Sequence, residues 1–168
     1  LMTLARTERP DFIRPGPVDL GDLTRRVLDK ARGLGPRDWQ LDAVADEPIQ
    51  ADEQRLTQAL LQLASNAVRH TTESQIIAIG SSADGLAGTV RLWVRDTGQG
   101  VALDEQARIF ERFFRGRDGR RRAEGSGLGL SIVAAIAAAH GGRATLESTP
   151  GHGATFAIHF PLRRGIDP

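Results

Sequence analysis

Asp96-Thr-Gly-Gln-Gly100 and Gly125-Ser-Gly-Leu-Gly-Leu130 are the two stretches from which the rest of the chain is read. The first is a carboxylate and two glycines at the end of an apolar run, Val90-Arg-Leu-Trp-Val94. The second is a glycine-rich turn that opens an alanine-rich helix over Leu128–His140. A buried carboxylate accepts hydrogen bonds from an exocyclic amine, and free amides at a helix start suit phosphate. Taken together, the two turns suit the two ends of a nucleotide. Taken singly, each has a plainer explanation: Asp and Gly abound in ordinary turns, and a lone Gly-x-Gly-x-Gly also serves as a linker into a helix. The second turn lacks the spacing of the dinucleotide fingerprint and the Lys-Ser/Thr of a phosphate-binding P-loop.

Outward from these turns, periodicity assigns the elements. Leu20, Leu23, Val27 and Leu28 form a helical stripe over 19–32, ended by Gly33 and Gly35. Trp39, Leu41 and Ala43 alternate as in a strand, and a short strand follows Pro48. Asp52 is a helix N-cap for a long helix from Glu53 to Arg69, with Leu56, Leu60, Leu63 and Ala67 inward. Gln62, Asn66 and Arg69 share another face of that helix. Strands are expected over Gln75–Ser81, Thr89–Arg95, Arg143–Ser148 and Ala154–Phe160, and a short helix over Asp104–Phe110. Arg14-Pro-Gly-Pro17 reads as a linker. The expected division is residues 1–17 as the end of a preceding helix and linker, 18–162 as the domain, and 163–168 as a tail. Opening at Leu1-Met2 on a polar stretch, the chain reads as a piece of something longer.

Composition excludes several classes. A formal net charge of +1 in 168 residues gives no case for nucleic acid. With no cysteine, disulfides, thiolate metal sites and a cysteine nucleophile are out. The longest apolar run, Ile132–Ala139, is too short to cross a bilayer. His70, His140, His152 and His159 show no metal-ligand spacing, so no zinc is assigned. Arg115 beside Phe113 and Phe114 is the arginine of the 115–122 segment best placed to take part in binding; Arg120, Arg121 and Arg122 read as solvated.

The order of the motifs says more than any one of them. Leu60-Leu-Gln-Leu-Ala-Ser-Asn-Ala-Val-Arg-His-Thr71, Asp96-Thr-Gly-Gln-Gly100, Ile109-Phe-Glu-Arg-Phe-Phe-Arg-Gly116 and Gly125-Ser-Gly-Leu-Gly-Leu-Ser-Ile-Val133 resemble, in sequence, the N, G1, F and G2 boxes of the catalytic ATP-binding domain of bacterial sensor histidine kinases. The closing Gly151-His-Gly-Ala-Thr-Phe156 resembles that domain's last hairpin. The resemblance covers roughly 18–162.

It implies the Bergerat fold: an α/β two-layer sandwich of a mixed, mainly antiparallel sheet with helices on one face. It further implies ATP and Mg²⁺ as cofactors. Asp96 would take the adenine amino group, with Gly98 and Gly100 shaping the pocket and Thr155 supporting adenine through water. Asn66 would ligate Mg²⁺. Arg69 stands at a phosphate-binding position, and His70 replaces an aromatic residue there. Gly125, Gly127, Leu128 and Gly129, with Arg115, belong to a lid over the phosphates. Gln62 stands where hydrolytic relatives carry a general-base Glu; an amide takes no proton at neutral pH, so poor hydrolysis is expected.

The implied activity is γ-phosphoryl donation to a histidine on an upstream dimerisation domain outside this chain. The implied partners are that domain and, indirectly, a response regulator. This piece is expected to be monomeric, the whole protein a homodimer on the cytoplasmic side, with a membrane anchor elsewhere. The alternatives are an anti-sigma-factor-type serine kinase and a non-catalytic nucleotide-binding module of the same superfamily.

Overall fold

A computed structural model describes residues 12–111 and 129–165. Its elements are β1 (Gly16–Asp19), α1 (Leu20–Ala31), β2 (Asp38–Ala43), β3 (Pro48–Ala51), α2 (Glu53–Arg69), β4 (Ile76–Asp84), β5 (Thr89–Asp96), α3 (Leu103–Gln106), α4 (Gly129–Ala139), β6 (Arg143–Ser148) and β7 (Ala154–Pro161).

Five strands form one sheet in the order β2-β4-β5-β7-β6. Only the β2–β4 pairing is parallel. Strand alternation gives this sheet two unlike faces. Ile77, Ile79, Val90, Leu92, Val94, Phe156, Ile158 and Phe160 point to the side where α1, α2 and α4 pack, and these residues form one buried core. The mixed sheet with helices over one face is the expected two-layer α/β sandwich.

Local chemistry starts each helix. The Asp19 carboxylate accepts from the Asp22 amide at the start of α1, and Asp52 accepts from the Arg55 amide at the start of α2. Along α2, Leu56, Ala59, Leu60, Leu63, Ala64 and Ala67 are buried, which is the inward stripe of an amphipathic helix. Inside the core, Thr24 Oγ1 donates to Leu20 O at 2.7 Å and accepts from Ser81 Oγ at 2.8 Å, while the Ser81 oxygen accepts from the Ala45 amide at 3.0 Å.

Three elements differ from the sequence expectation. Gly16–Asp19, within and just after the proline-rich stretch, is a strand that pairs antiparallel with β3. Its prolines are tolerated because this two-stranded ribbon leaves one edge of each strand unpaired. The helix expected to reach Phe110 ends at Gln106. Leu103 is 74% exposed and Ala102 supplies no side-chain cap, so neither packing nor capping extends it. In β2 the alternation breaks at a register shift between Leu41 and Ala43, on a sheet edge, and Leu41 is 40% exposed.

On the face away from the helices, the Trp93 ring lies across Gly80, where any Cβ would collide with it. Asp42 anchors that ring through Nε1 at 3.0 Å and grips Arg95 at 2.8 and 2.9 Å. The Arg95 guanidinium and the Trp93 bond hold the Asp42 carboxyl below its ordinary range, against the opposing cost of burial. Arg91 stacks its guanidinium 4.6 Å above the Trp93 ring. A polar and aromatic layer thus covers this face without helices.

Candidate nucleotide-binding site

The C-terminal end of α2 and the C-terminal end of β5 meet. Asp96 closes β5 and is 5% exposed. Its Oδ1 accepts from the Gly98 amide at 2.8 Å, and the Ala154 amide also bonds the carboxylate. Burial nevertheless raises the Asp96 pKa above the ordinary carboxylate range, because these amides and Arg95 offset only part of the desolvation. A carboxylate in this state gains by a further donor.

Two walls of protein set the path of the Asp96–Gly100 turn. A Cβ on Gly98 would run into the His70 carbonyl oxygen, so the turn lies directly against the end of α2. Gly100 has a φ of +75°, and a Cβ there would crowd Thr149 O, Ser148 Oγ and Gly153 O at 2.8–3.0 Å. The second wall is the β6–β7 turn: the Gly151 amide donates to Gln99 O at 2.7 Å, and the Val101 amide to Ser148 Oγ at 2.9 Å. Both glycines are therefore required by the protein's own packing.

Asn66, Arg69 and His70 sit together in the last turn and cap of α2. Asn66 is buried, at 7% exposure, and no described residue hydrogen-bonds its carboxamide. Arg69 likewise makes no ion pair with a described residue. The Asn66 carboxamide and the desolvated Asp96 carboxylate at neighbouring ends of α2 and β5 thus fit a polar ligand between them.

Gly129 opens α4 beside Gln62: a Cβ on Gly129 would stand 2.8 Å from Gln62 Oε1. The start of α4 is therefore brought to α2 one turn before Asn66. Arg115, Gly125, Gly127 and Leu128 fall outside the described residues, as do Phe113 and Phe114. Phe110 packs edge-on to Phe156, ring centroids 5.9 Å apart.

Thr155 does not join the site. The register sets it opposite Arg95 and Glu147, on the sheet face away from the helices, while Ala154 lies opposite Asp96. Strand parity is the reason: a one-residue step exchanges the faces. The strand's contribution to Asp96 comes from the Ala154 backbone instead.

Sequence reasoning missed Arg37. Its Nη2 donates to Val68 O at 2.9 Å and Thr71 O at 3.0 Å, and its Nε to Thr71 Oγ1 at 2.8 Å. It is a cation bonded to the carbonyl end of α2, supplied by another segment. No local pattern marks such a long-range cap. Ser148, which accepts from Val101 and donates to Gly153 O at 2.8 Å, was missed too; a serine just before Thr149-Pro-Gly was the available signal.

Residues 51–164 match the family of histidine kinase-, DNA gyrase B- and HSP90-like ATPases. The chain belongs to that family, as a catalytic ATP-binding domain of the sensor histidine kinase type. It is 39% identical over 166 residues to the probable sensor histidine kinase TcrY of Mycobacterium tuberculosis, covering 96% of this chain and 34% of TcrY. It therefore spans about a third of that relative's length. Among solved structures, a mycobacterial sensor histidine kinase, MprB, superposes with a TM-score of 0.75 at 27% identity, covering 89% of this chain and all of that one. Full-length ShkA in complex with AMPPNP superposes with a TM-score of 0.75 at 35% identity, over 99% of this chain and 36% of that one.

Proposed function

We propose that this domain holds Mg·ATP between the end of α2, the Asp96 turn and the start of α4, and donates the γ-phosphoryl group to a histidine of an upstream dimerisation domain. The observation that carries this reading is the buried Asp96 carboxylate, raised in pKa, in a turn whose Gly98 lies against the end of α2. The AMPPNP complex of ShkA supports it from outside.

Each residue has a part. Asp96 accepts the adenine amino group, a further donor beside the Gly98 and Ala154 amides that offsets the rest of its desolvation. Asn66 offers its carboxamide oxygen to Mg²⁺, and Arg69 neutralises phosphate. His70 contributes its carbonyl to the adenine wall and its ring to the ligand's flank. Gly129, with Gly125, Gly127, Leu128 and Arg115, lines the phosphate end. Among the described residues no group of three or more His, Asp or Glu could hold a metal. A magnesium ion at Asn66 would thus take its remaining ligands from phosphate and water. The metal supplies charge neutralisation for phosphoryl transfer; the chain supplies positioning.

Gln62 takes no proton at neutral pH, so water is not activated there and the phosphoryl group passes to an external nucleophile. The histidine, and a response regulator receiving phosphate from it, lie in other parts of the signalling system. No helix among the described residues is long and apolar enough to cross a membrane. The domain works on the cytoplasmic side, where ATP is.

Mixing the domain with the dimerisation domain of the same protein and γ-labelled ATP tests the reading. Acid-labile, base-stable label on a histidine of that domain is expected. Label on a serine of a separate partner would overturn it in favour of an anti-sigma-factor-type kinase.

A further inference from the structure

Three hydrogen bonds converge on Asp52, far from the Asp96 turn. Its Oδ1 accepts from the Arg55 amide at 3.0 Å and so caps α2. Its Oδ2 accepts from the Arg14 amide at 2.7 Å. Its own amide donates to His140 Nε2 at 3.0 Å. His140 follows the last residue of α4. Because Nε2 accepts, the ring proton resides on Nδ1, 2.8 Å from Ile136 O. Burial keeps that imidazole neutral by lowering its pKa. Asp52 thus ties together the start of α2, the end of α4 and the chain entering the domain.

The entering chain is held by more than one bond. Phe12 is 5% exposed, its carbonyl accepts from Arg55 Nε at 3.3 Å, and the Arg55 guanidinium lies 4.6 Å over its ring. Arg55 is three residues along α2 from Asp52, so Phe12 and Arg14 grip the same first turn.

At the other end of this helix pair, Gly129 meets Gln62. The helices run antiparallel, in contact at both ends. The span from Asp52 to Gln62 is about 15 Å of helix, and from His140 back to Gly129 about 16 Å. A helix of this length transmits an axial shift as a rigid rod. The far end of α2 is held by Arg37 and by the Gly98 turn against His70, so a change of seat at Asp52 moves α4 through His140, and with it Gly129, relative to Gln62.

We propose that Asp52 is a positioning residue: through it, the chain entering at Phe12–Arg14 sets the spacing of α2 and α4 at the phosphate end of the nucleotide site. This deepens, and rests on, the proposed nucleotide reading. It makes the entering chain the route by which an upstream domain adjusts ATP binding without touching the nucleotide.

Asp52→Asn isolates the link. Asparagine is as good an N-cap as aspartate, and its backbone amide still reaches His140. Its NH₂, however, replaces one accepting oxygen, so the Arg55 and Arg14 amides are no longer both satisfied. Phe12→Ala loosens the grip from outside the helix pair. Binding of ATP and of adenosine is measured by calorimetry on wild type and both variants of the 168-residue chain. The expected result is a loss of threefold or more in ATP affinity with adenosine affinity unchanged, since only the phosphate end moves. Equal losses for both ligands, or none, would overturn the proposal and leave Asp52 a structural cap. If wild type binds neither ligand, the nucleotide reading itself fails. The inference, which rests on that reading, is then overturned with it, and this outcome is distinct from wild type binding while the variants lose nothing or lose both ligands equally.

Discussion

Asp96 shows at the scale of one residue how its proposed binding role conflicts with stability. Its pKa is raised in the fold, so the native state binds its proton more tightly than the unfolded chain does. The sign follows: the favourable contribution is fully present below the unfolded value, near ~3.9, and is lost as pH rises through the folded value. At neutral pH the ionised group is a net cost. Asp96→Asn keeps an accepting oxygen for the Gly98 amide and removes the charge. Its melting temperature at pH 7 should equal or exceed that of wild type, with the gain shrinking as pH is lowered toward about 4. Thermal unfolding at the two pH values checks this; a variant clearly less stable at pH 7 would show that the charge is stabilising. In the sequence, Asp96 was legible as a turn carboxylate at a strand end. Its burial was not, because that depends on the β6–β7 turn, about 50 residues away in the chain, closing over it.

Among the elements, α2 was the most legible: Asp52, the leucine stripe and Arg69 mark its start, face and end, and Glu53–Arg69 is the helix that forms. What holds its far end was not legible. Arg37 lies before β2, and only the parallel pairing of β2 with β4 brings it to Val68 and Thr71. Arg37→Ala removes a charged donor from three acceptors at this helix end. The expected cost is about 1–3 kcal/mol of unfolding free energy. Weaker ATP binding should accompany it, since Asn66 and Arg69 ride on this turn. Denaturant unfolding and nucleotide titration of the one variant check both; a loss of stability with undiminished ATP affinity would separate the cap from the site. Thr155 failed for a different reason. Its strand was placed correctly, but the face depends on register, and register depends on partners that periodicity does not name.

For the whole molecule, the sandwich was readable because each strand and helix carried its own period and the motifs came in a fixed order. The β1–β3 ribbon was not readable, because Pro15 and Pro17 argue against a strand wherever neighbours are unknown. The resulting architecture brings four separated pieces of sequence to one place: the end of α2, the Asp96 turn, the β6–β7 turn and the start of α4. The central claim is that this meeting point is a nucleotide site built on Asp96. Titrating Mg·ATP into wild type and Asp96→Ala by calorimetry tests it most directly. Wild type should bind, and the variant should lose affinity by a factor of about 10 to 100 or more, because a buried charged hydrogen bond to the base is gone. ATP affinity unchanged in Asp96→Ala would contradict the account.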